Sequence, residues 1–274
     1  MKIDWEKLWI EERKGSPLMK YRKDIGTEMW DKSAEDYRDS INKDAYGYGR
    51  KIIEVIEDII KPDFEVLDIG AGPGTLAVPL ARLVARVIAL DPSREMLKVL
   101  EESAVREGIA NIDTQNKTWQ EVNDAEVKEK FDLVIASNVL WMFEDVGTQL
   151  MRIHNASRGY CCVVFHAGLT DDLDSELWFK IMREEYNFGV DYIYIYNILY
   201  NKGIYANVNV IDYVYTFEKK LNEAIEYYEY LFDMYTEITP RVKKIIRDYI
   251  SDNAVDDVYC KKSQGKNAVI WWKR

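Results

Sequence analysis

A doubly wound α/β fold is what the sequence predicts, on three observations. Apolar runs of strand length alternate with stretches of helical periodicity, three glycines at alternate positions join the first such strand to its helix, and the next strand closes on an aspartate 21 positions beyond the first of those glycines. The chain of 274 residues is 47% hydrophobic, enough to bury a large core as one elaborated domain.

The glycine segment reads Val66-Leu67-Asp68-Ile69-Gly70-Ala71-Gly72-Pro73-Gly74-Thr75 and passes into Leu76, Ala77, Leu80, Leu83 and Val84 at helical spacing. Glycine at 70, 72 and 74 lets the backbone turn without a Cβ in the way and brings bare peptide N–H groups close to a ligand. The dinucleotide fingerprint needs a third glycine three residues after the second, and Thr75 stands there, so the NAD pattern is broken. The second strand, Val84 to Asp91, ends on a carboxylate at the place where a doubly wound sheet binds the ribose hydroxyls of a nucleoside.

The acid before the glycines, Gly-x-Gly-Pro-Gly, and the later Leu90-Asp91-Pro92-Ser93 followed by Met96-Leu97 together resemble class I S-adenosylmethionine-dependent methyltransferases. The resemblance covers residues 30 to 166 well and the remainder in outline. It implies a Rossmann-like doubly wound seven-stranded sheet, six strands parallel and one antiparallel, with a helical N-terminal lid (1–60), a cofactor-binding core (61–166) and a remainder carrying helical cap insertions (167–274), all one domain. The cofactor it implies is S-adenosylmethionine, with S-adenosylhomocysteine as product. Asp68 then supports the loop and the amino acid end of the cofactor. Ala71 and Thr75 pass against the ligand with Gly70, Gly72 and Gly74, and Asp91 binds ribose with Pro92 and Met96 beside it.

Taken in order, the first 45 residues read as short helices with Trp5, Trp9, Tyr21, Trp30 and Tyr37 among charged residues. In the resembling family a segment like Trp30-Asp31-x-x-Ala34-x-x-Tyr37 folds over the cofactor; the alternative is that these aromatics staple a helix to the core. Ile52, Ile53, Ile56, Ile59 and Ile60 form the apolar stripe of a helix that Pro62 ends. A third strand is expected over Ile109 to Lys117. At its exit the family offers an acid to adenine, and this chain has Thr118 and Trp119 instead. Trp119 either stacks on adenine or packs in the core, and Thr118 is the remaining acceptor of a hydrogen bond there.

Phe131 to Leu140 is a buried parallel-type strand and its exit, which resembles the family's fourth motif; ligands in such sheets sit outside the carboxyl ends, so Ser137, Asn138 and Leu140 line the transfer end. A helix over Asp145 to Asn155 leads to the fifth strand, Tyr160 to His166. Thr170-Asp171-Asp172 is expected to cap the next helix, whose first-turn acids suit the helix dipole better than a metal. Residues 190–200 alternate like a strand, but Asn197 to Gly203 has the character of a glycine-capped helix, and helix is the expectation. A sixth strand over Asn207 to Phe217, two helices, and a last strand at Ala268 to Trp272 complete the pattern, the last being the family's antiparallel seventh.

Methyl transfer from a sulfonium leaves little covalent work for a protein beyond orientation and exclusion of water, which agrees with the lack of a Ser-His-Asp or Cys-His set. His166, at the ligand end of a strand, is the candidate general base. Tyr37, Tyr46, Tyr48, Tyr196 and Tyr200 are candidates for an aromatic acceptor pocket, ordinary helix packing being the alternative. A net charge of −11 argues against a nucleic acid substrate, so the expected partner is a small-molecule acceptor. The absence of an 18-residue apolar run and of a leader-like N-terminus gives the expectation of a cytoplasmic protein off the membrane. Cys161, Cys162 and Cys260 make no disulfide framework or metal site, and no metal is expected. Two rival functions stay open: a protein that binds the cofactor without transfer, for which the missing acid near Thr118 is the motive, and an NAD-dependent oxidoreductase.

Overall fold

The computed structural model describes residues 3–21, 26–168 and 174–274. Its centre is one sheet in the order β3-β2-β1-β4-β5-β8-β6, built from β1 (Glu65–Ile69), β2 (Arg86–Asp91), β3 (Ile112–Asn116), β4 (Phe131–Ser137), β5 (Ser157–His166), β6 (Asn207–Lys220) and β8 (Val258–Lys273). The first five strands are parallel, and β8 runs antiparallel to both β5 and β6, so β6 is parallel to the first five. An eighth strand, β7 (Ala254–Val255), is a two-residue pairing on β8 and adds to the seven expected.

The inner strands are apolar on both faces because both faces are covered. Leu67 and Ile69 of β1 with Ile88 and Leu90 of β2 join one core, which α1 (Trp5–Gly15), α8 (Val146–Ala156) and α10 (Tyr192–Asn201) complete through Trp9, Leu150 and Ile195. Val66, Val87 and Ala89 point the other way and meet α4 (Gly47–Ile56), α5 (Ala77–Ala81) and α6 (Arg94–Arg106) through Ile52, Leu80 and Leu97. The short α2 (Pro17–Tyr21) and the longer α3 (Thr27–Asp44) lie outside these two layers, and α7 (Asp124–Val127) borders the first core through Val127.

Several boundaries differ from expectation. β3 is trimmed to Ile112–Asn116, since Gly108 and the turn before it close α6. Residues 192–201 are helix, capped by the Asp191 carboxylate that accepts from the Ile193 N–H, and their alternation is that of a helix with apolar residues almost all round. Thr170, Asp171 and Asp172 lie outside the described residues, and Asp174 is the N-cap of α9 (Ser175–Met182), accepting from the Leu177 N–H at 3.2 Å.

The largest departure is the length of β6 and β8. β5 ends at His166 opposite Asn267, but β6 and β8 stay paired from Ile211↔Asn267 out to Lys220↔Val258. This ribbon overhangs the carboxyl edge of the sheet. It carries a third core, in which Phe217 and Tyr259 meet Leu177 and Trp178 of α9, Tyr228 and Phe232 of α11 (Leu221–Asp233), and Ile246 of α12 (Pro240–Asp252).

Candidate functional site

The carboxyl ends of β1, β2, β4 and β5 gather the residues that the sequence singles out. After β1 the backbone N–H groups of Gly70 and Ala71 donate to Leu90 O at 2.7 and 3.0 Å, which folds the loop back over β2. Gly70 has φ +70° and a Cβ there would lie 2.2 Å from Val139 Cγ1, so the position demands glycine. At Gly72, φ +53°, a Cβ would meet nothing within 4 Å, and the loop faces open space.

Asp91 ends β2 and is 7% exposed. Its Oδ2 accepts from the Gly72 N–H and its Oδ1 from the Ser93 N–H, both at 2.8 Å. A carboxylate has about four acceptor positions, so roughly two remain. Burial raises its pKa from the ordinary value, and those two N–H donors pull the other way. Asp68, one strand over, is 1% exposed with no hydrogen-bond partner at Oδ2. Burial, helped by the charge of Asp91, pushes its carboxyl up to about 7.

Above this floor lies α3. Asp31 accepts from the Ser93 hydroxyl at 2.6 Å, Ala34 packs with Met96 and Val99 under Trp30, and Trp30 reaches Trp141 at 6.3 Å between ring centroids. The helix therefore bridges from the start of α6 to the exit of β4, across the glycine loop. Asp36 and Lys43 add ion pairs to Lys219 and Glu218 of the overhanging ribbon. Pro92 sits in the same turn as Asp91, and Asn116 pins that turn by donating to Asp91 O and Pro92 O at 3.1 and 2.8 Å.

Thr118 and Trp119 are employed otherwise. Thr118 forms a reciprocal cap with Glu121, donating N–H and hydroxyl to Oε2 at 2.7 and 2.8 Å. Trp119 is 3% exposed in the first core, with the Arg152 guanidinium 4.6 Å from its ring centre, so its faces are spent on packing. At the exit of β4, Ser137 is half-buried and Leu140 fully buried, while Asn138 takes a left-handed φ of +53° and its side chain is exposed. His166 ends β5 half-buried, directly opposite Asn267.

The five tyrosines do not form one pocket. Tyr46 is 9% exposed and packs with Ile41 and Val78 beneath the surface of α3 and α4. Tyr196 and Tyr200 lie on α10, against the opposite face of the sheet from α4, and Tyr200 is 55% exposed with its ring on Tyr205. Tyr37 is on α3 against Trp30 at 6.4 Å. Tyr48 is tied to the carboxyl edge, where its hydroxyl accepts from Asn138 Nδ2 at 3.0 Å and Asn267 Nδ2 at 2.7 Å. Asn267 escapes a reading of spacing because it comes from a distant segment; Asp31 and Ser93 stand within motifs that the sequence offers, but the bond between them joins positions 62 apart.

Among the described residues no group of three or more His, Cys, Asp or Glu is disposed to hold a metal, and no helix is long and apolar enough to cross a membrane. The three cysteines are free, with Cys161 and Cys162 buried in β5 and their thiols pushed up by burial, Cys161 to about 12.

Residues 66–158, from the first glycine-loop strand to the start of β5, match the family of proteins described as a methyltransferase domain. An uncharacterized protein of Haemophilus influenzae is 29% identical over 248 residues, spanning 89% of this chain and 88% of its own. A ribosomal protein L11 methyltransferase of Caldicellulosiruptor bescii is 35% identical over 150 residues, and a ubiquinone biosynthesis O-methyltransferase of Bradyrhizobium diazoefficiens is 40% identical over 87. These two matches cover 49% and 32% of this chain but only 46% and 33% of those proteins. A crystal structure of a Bacillus halodurans protein, described as a candidate methyltransferase, superposes with a TM-score of 0.54 at 16% identity over 82% of this chain and 97% of that one, a likeness of fold. With the matched stretch taking in the glycine loop, Asp91 and the β4 exit, the chain is similar over that stretch to S-adenosylmethionine-dependent methyltransferases.

Proposed function

We propose that this enzyme methylates a small organic acceptor held at the carboxyl edge of the sheet, between α3 and the β6–β8 ribbon. The observation that carries the reading is the roof: α3 is latched to Ser93 and packed on Trp141, and it is ion-paired to the ribbon, so the edge is covered by the chain itself. A covered edge admits a small molecule more readily than the surface of a macromolecule. The match to an enzyme named for O-methylation in ubiquinone biosynthesis agrees with this, over a third of that protein.

The residues present fit the cofactor. The space over Gly72 is open, Asp91 has acceptor positions to spare, and Asp68 keeps an unpartnered buried oxygen beneath the loop. When bound, S-adenosylmethionine supplies a methyl group on a sulfonium, ready for attack by a nucleophile. Asp91 takes the ribose hydroxyls, with its carboxylate already aimed by Gly72 and Ser93. Asp68 supports the loop and the charged amino acid end. Gly70, Ala71, Gly72, Gly74 and Thr75 pass along the ligand with backbone only. Pro92 lies beside the ribose, and Met96 braces that turn under Trp30. Ser137, Asn138 and Leu140 bound the transfer end, where α3 excludes water and the acceptor is held for in-line attack. His166 accepts the proton of an acceptor hydroxyl.

A cofactor-binding protein without transfer is the second reading, since Thr118 and Glu121 satisfy each other where an adenine contact is expected. Calorimetric titration with S-adenosylmethionine, S-adenosylhomocysteine and NADH, after mass spectrometry for a carried-over ligand, separates the cases. Saturable binding of the two sulfur nucleosides alone, followed by S-adenosylhomocysteine release with a small acceptor, is the expected result. Binding of NADH alone would overturn the methyltransferase reading, and cofactor binding with no turnover on any acceptor would favour the second one.

A further inference from the structure

The carboxyl edge carries a polar cluster that cofactor binding leaves unused. Tyr48 stands in the first turn of α4, its N–H held by the Asp44 carboxylate at 2.8 Å. One residue on, Gly49 is pressed against the glycine loop: a Cβ there would lie 2.0 Å from Thr75 O. The height of Tyr48 above the sheet is thus set by the same loop that faces the cofactor. Its hydroxyl collects the side-chain amides of Asn138, from the exit of β4, and of Asn267, from β8. Asn267 is 4% exposed and directly cross-strand from His166, which puts those two side chains on one face of the sheet as neighbours.

Aromatic rings border this cluster on two sides. Tyr213 meets the ring of Tyr48 edge-on at 5.8 Å, and Trp141 is anchored beside Asn138 by donating its indole N–H to Asn138 O at 2.8 Å, with Trp30 behind it. The polar groups that the described residues offer here are neutral amides and hydroxyls with one imidazole. Nearby charged side chains are engaged with one another or with backbone: Lys266 with Asp212, Lys219 with Asp36, Lys51 with Asp212 O, and Asp44 with the N–H of Tyr48. An ammonium or phosphate brought to such a place loses its hydration and meets only opposite charges that are already engaged, whereas an uncharged planar molecule loses little and gains ring contacts.

We infer that Tyr48, fixed by Asn138 and Asn267, is the acceptor-positioning residue and that the acceptor is an uncharged aromatic hydroxyl compound. This rests on the methyltransferase reading above. In the transfer the acceptor oxygen gains the methyl carbon, the sulfur keeps the electron pair of the bond that breaks, and the hydroxyl proton goes to His166.

The test uses the whole chain. Binding of S-adenosylhomocysteine is measured first by calorimetry, and its failure would remove the methyltransferase reading itself. With binding established, S-adenosylhomocysteine release is followed for neutral phenols and catechols, alkylamines and phosphate monoesters. Phenolic compounds are expected to exceed the charged ones by at least about tenfold in kcat/KM. Tyr48→Phe is expected to raise the phenol KM about tenfold, the worth of one hydrogen bond, while S-adenosylhomocysteine affinity stays within about twofold. Binding of a non-reactive phenol ether to the S-adenosylhomocysteine complex should weaken in parallel, a readout independent of turnover. Preference for an amine or phosphate ester, no turnover of any phenol, or an unchanged phenol KM in Tyr48→Phe would each overturn the inference.

Discussion

Asp91 holds the β1 and β2 loops together before any ligand arrives, because its two oxygens satisfy the N–H groups of Gly72 and Ser93. Asp91→Ala should weaken S-adenosylhomocysteine binding by about 2 kcal/mol, roughly thirtyfold, as read by calorimetry; unchanged affinity would refute its assignment to ribose. Asp68 gives a pH signature. Its folded pKa of about 7 lies above the ordinary 3.8, so the protonated carboxyl favours the folded state in full below pH 4, and that stability is lost as pH rises through 7. Stability should therefore fall from pH 5 to pH 8 by up to about 3 kcal/mol, read as a falling melting temperature, and Asp68→Asn should flatten that slope. A wild-type slope equal to that of the variant would show that Asp68 stays ionised. The glycine loop and Asp91 were legible in the sequence because their meaning is local, a spacing between a strand end and the next turn. Trp119 reads either as an adenine contact or as a core residue, and its core position depends on Arg152 arriving from α8. Asn267 likewise meets Tyr48 across 219 positions of chain.

At the scale of elements, α3 and α4 are held to the site by different means. α4 depends on close backbone approach, and Gly49→Ala forces its Cβ against a carbonyl that cannot yield cheaply. A loss of about 1–3 kcal/mol is expected, a fall of several degrees in melting temperature, with weaker cofactor binding as the glycine loop shifts. α3 depends on the Asp31–Ser93 hydrogen bond, the Trp30–Trp141 contact, Ala34 packed on α6 and ion pairs to the ribbon. Asp31→Ala should leave global stability within about 1 kcal/mol yet raise the cofactor dissociation rate severalfold in stopped-flow fluorescence; an unchanged rate would deny the helix its part as a roof. The parallel strands and the helices between them were legible because the apolar period changes cleanly from one to the other. The outer half of β8 was not, and β6 runs past the expected Phe217 to Lys220. Tyr213, Tyr215 and Phe217 fall on one side with Val214 exposed on the other, and Gln264, Gly265 and Lys266 carry no apolar alternation at all, because there the ribbon no longer has helices on both faces.

For the molecule as a whole, the three large cores among the described residues imply more than one cooperative unit. The third core is joined to the sheet through the ribbon and through Tyr21 of α2, which packs on Trp178 at 6.2 Å. Trp178 is fully buried, and Trp178→Ala should cost about 3–5 kcal/mol within that core. Hydrogen exchange should then quicken in α9, α11 and α12 while β1, β2 and β4 stay protected; uniform loss across the sheet would mean that the cores unfold as one. The ribbon itself has a further consequence, since it is a stilt that can be lengthened only in fixed steps. Adding one residue pair to each strand would turn every side chain of the outer part to the wrong side, whereas two pairs would restore the facing and lift the helices by about 7 Å. Relatives of this chain that handle bulkier acceptors should differ between 211 and 220, and between 258 and 267, by even numbers of residues, so that the room above the methyl group is graded in storeys.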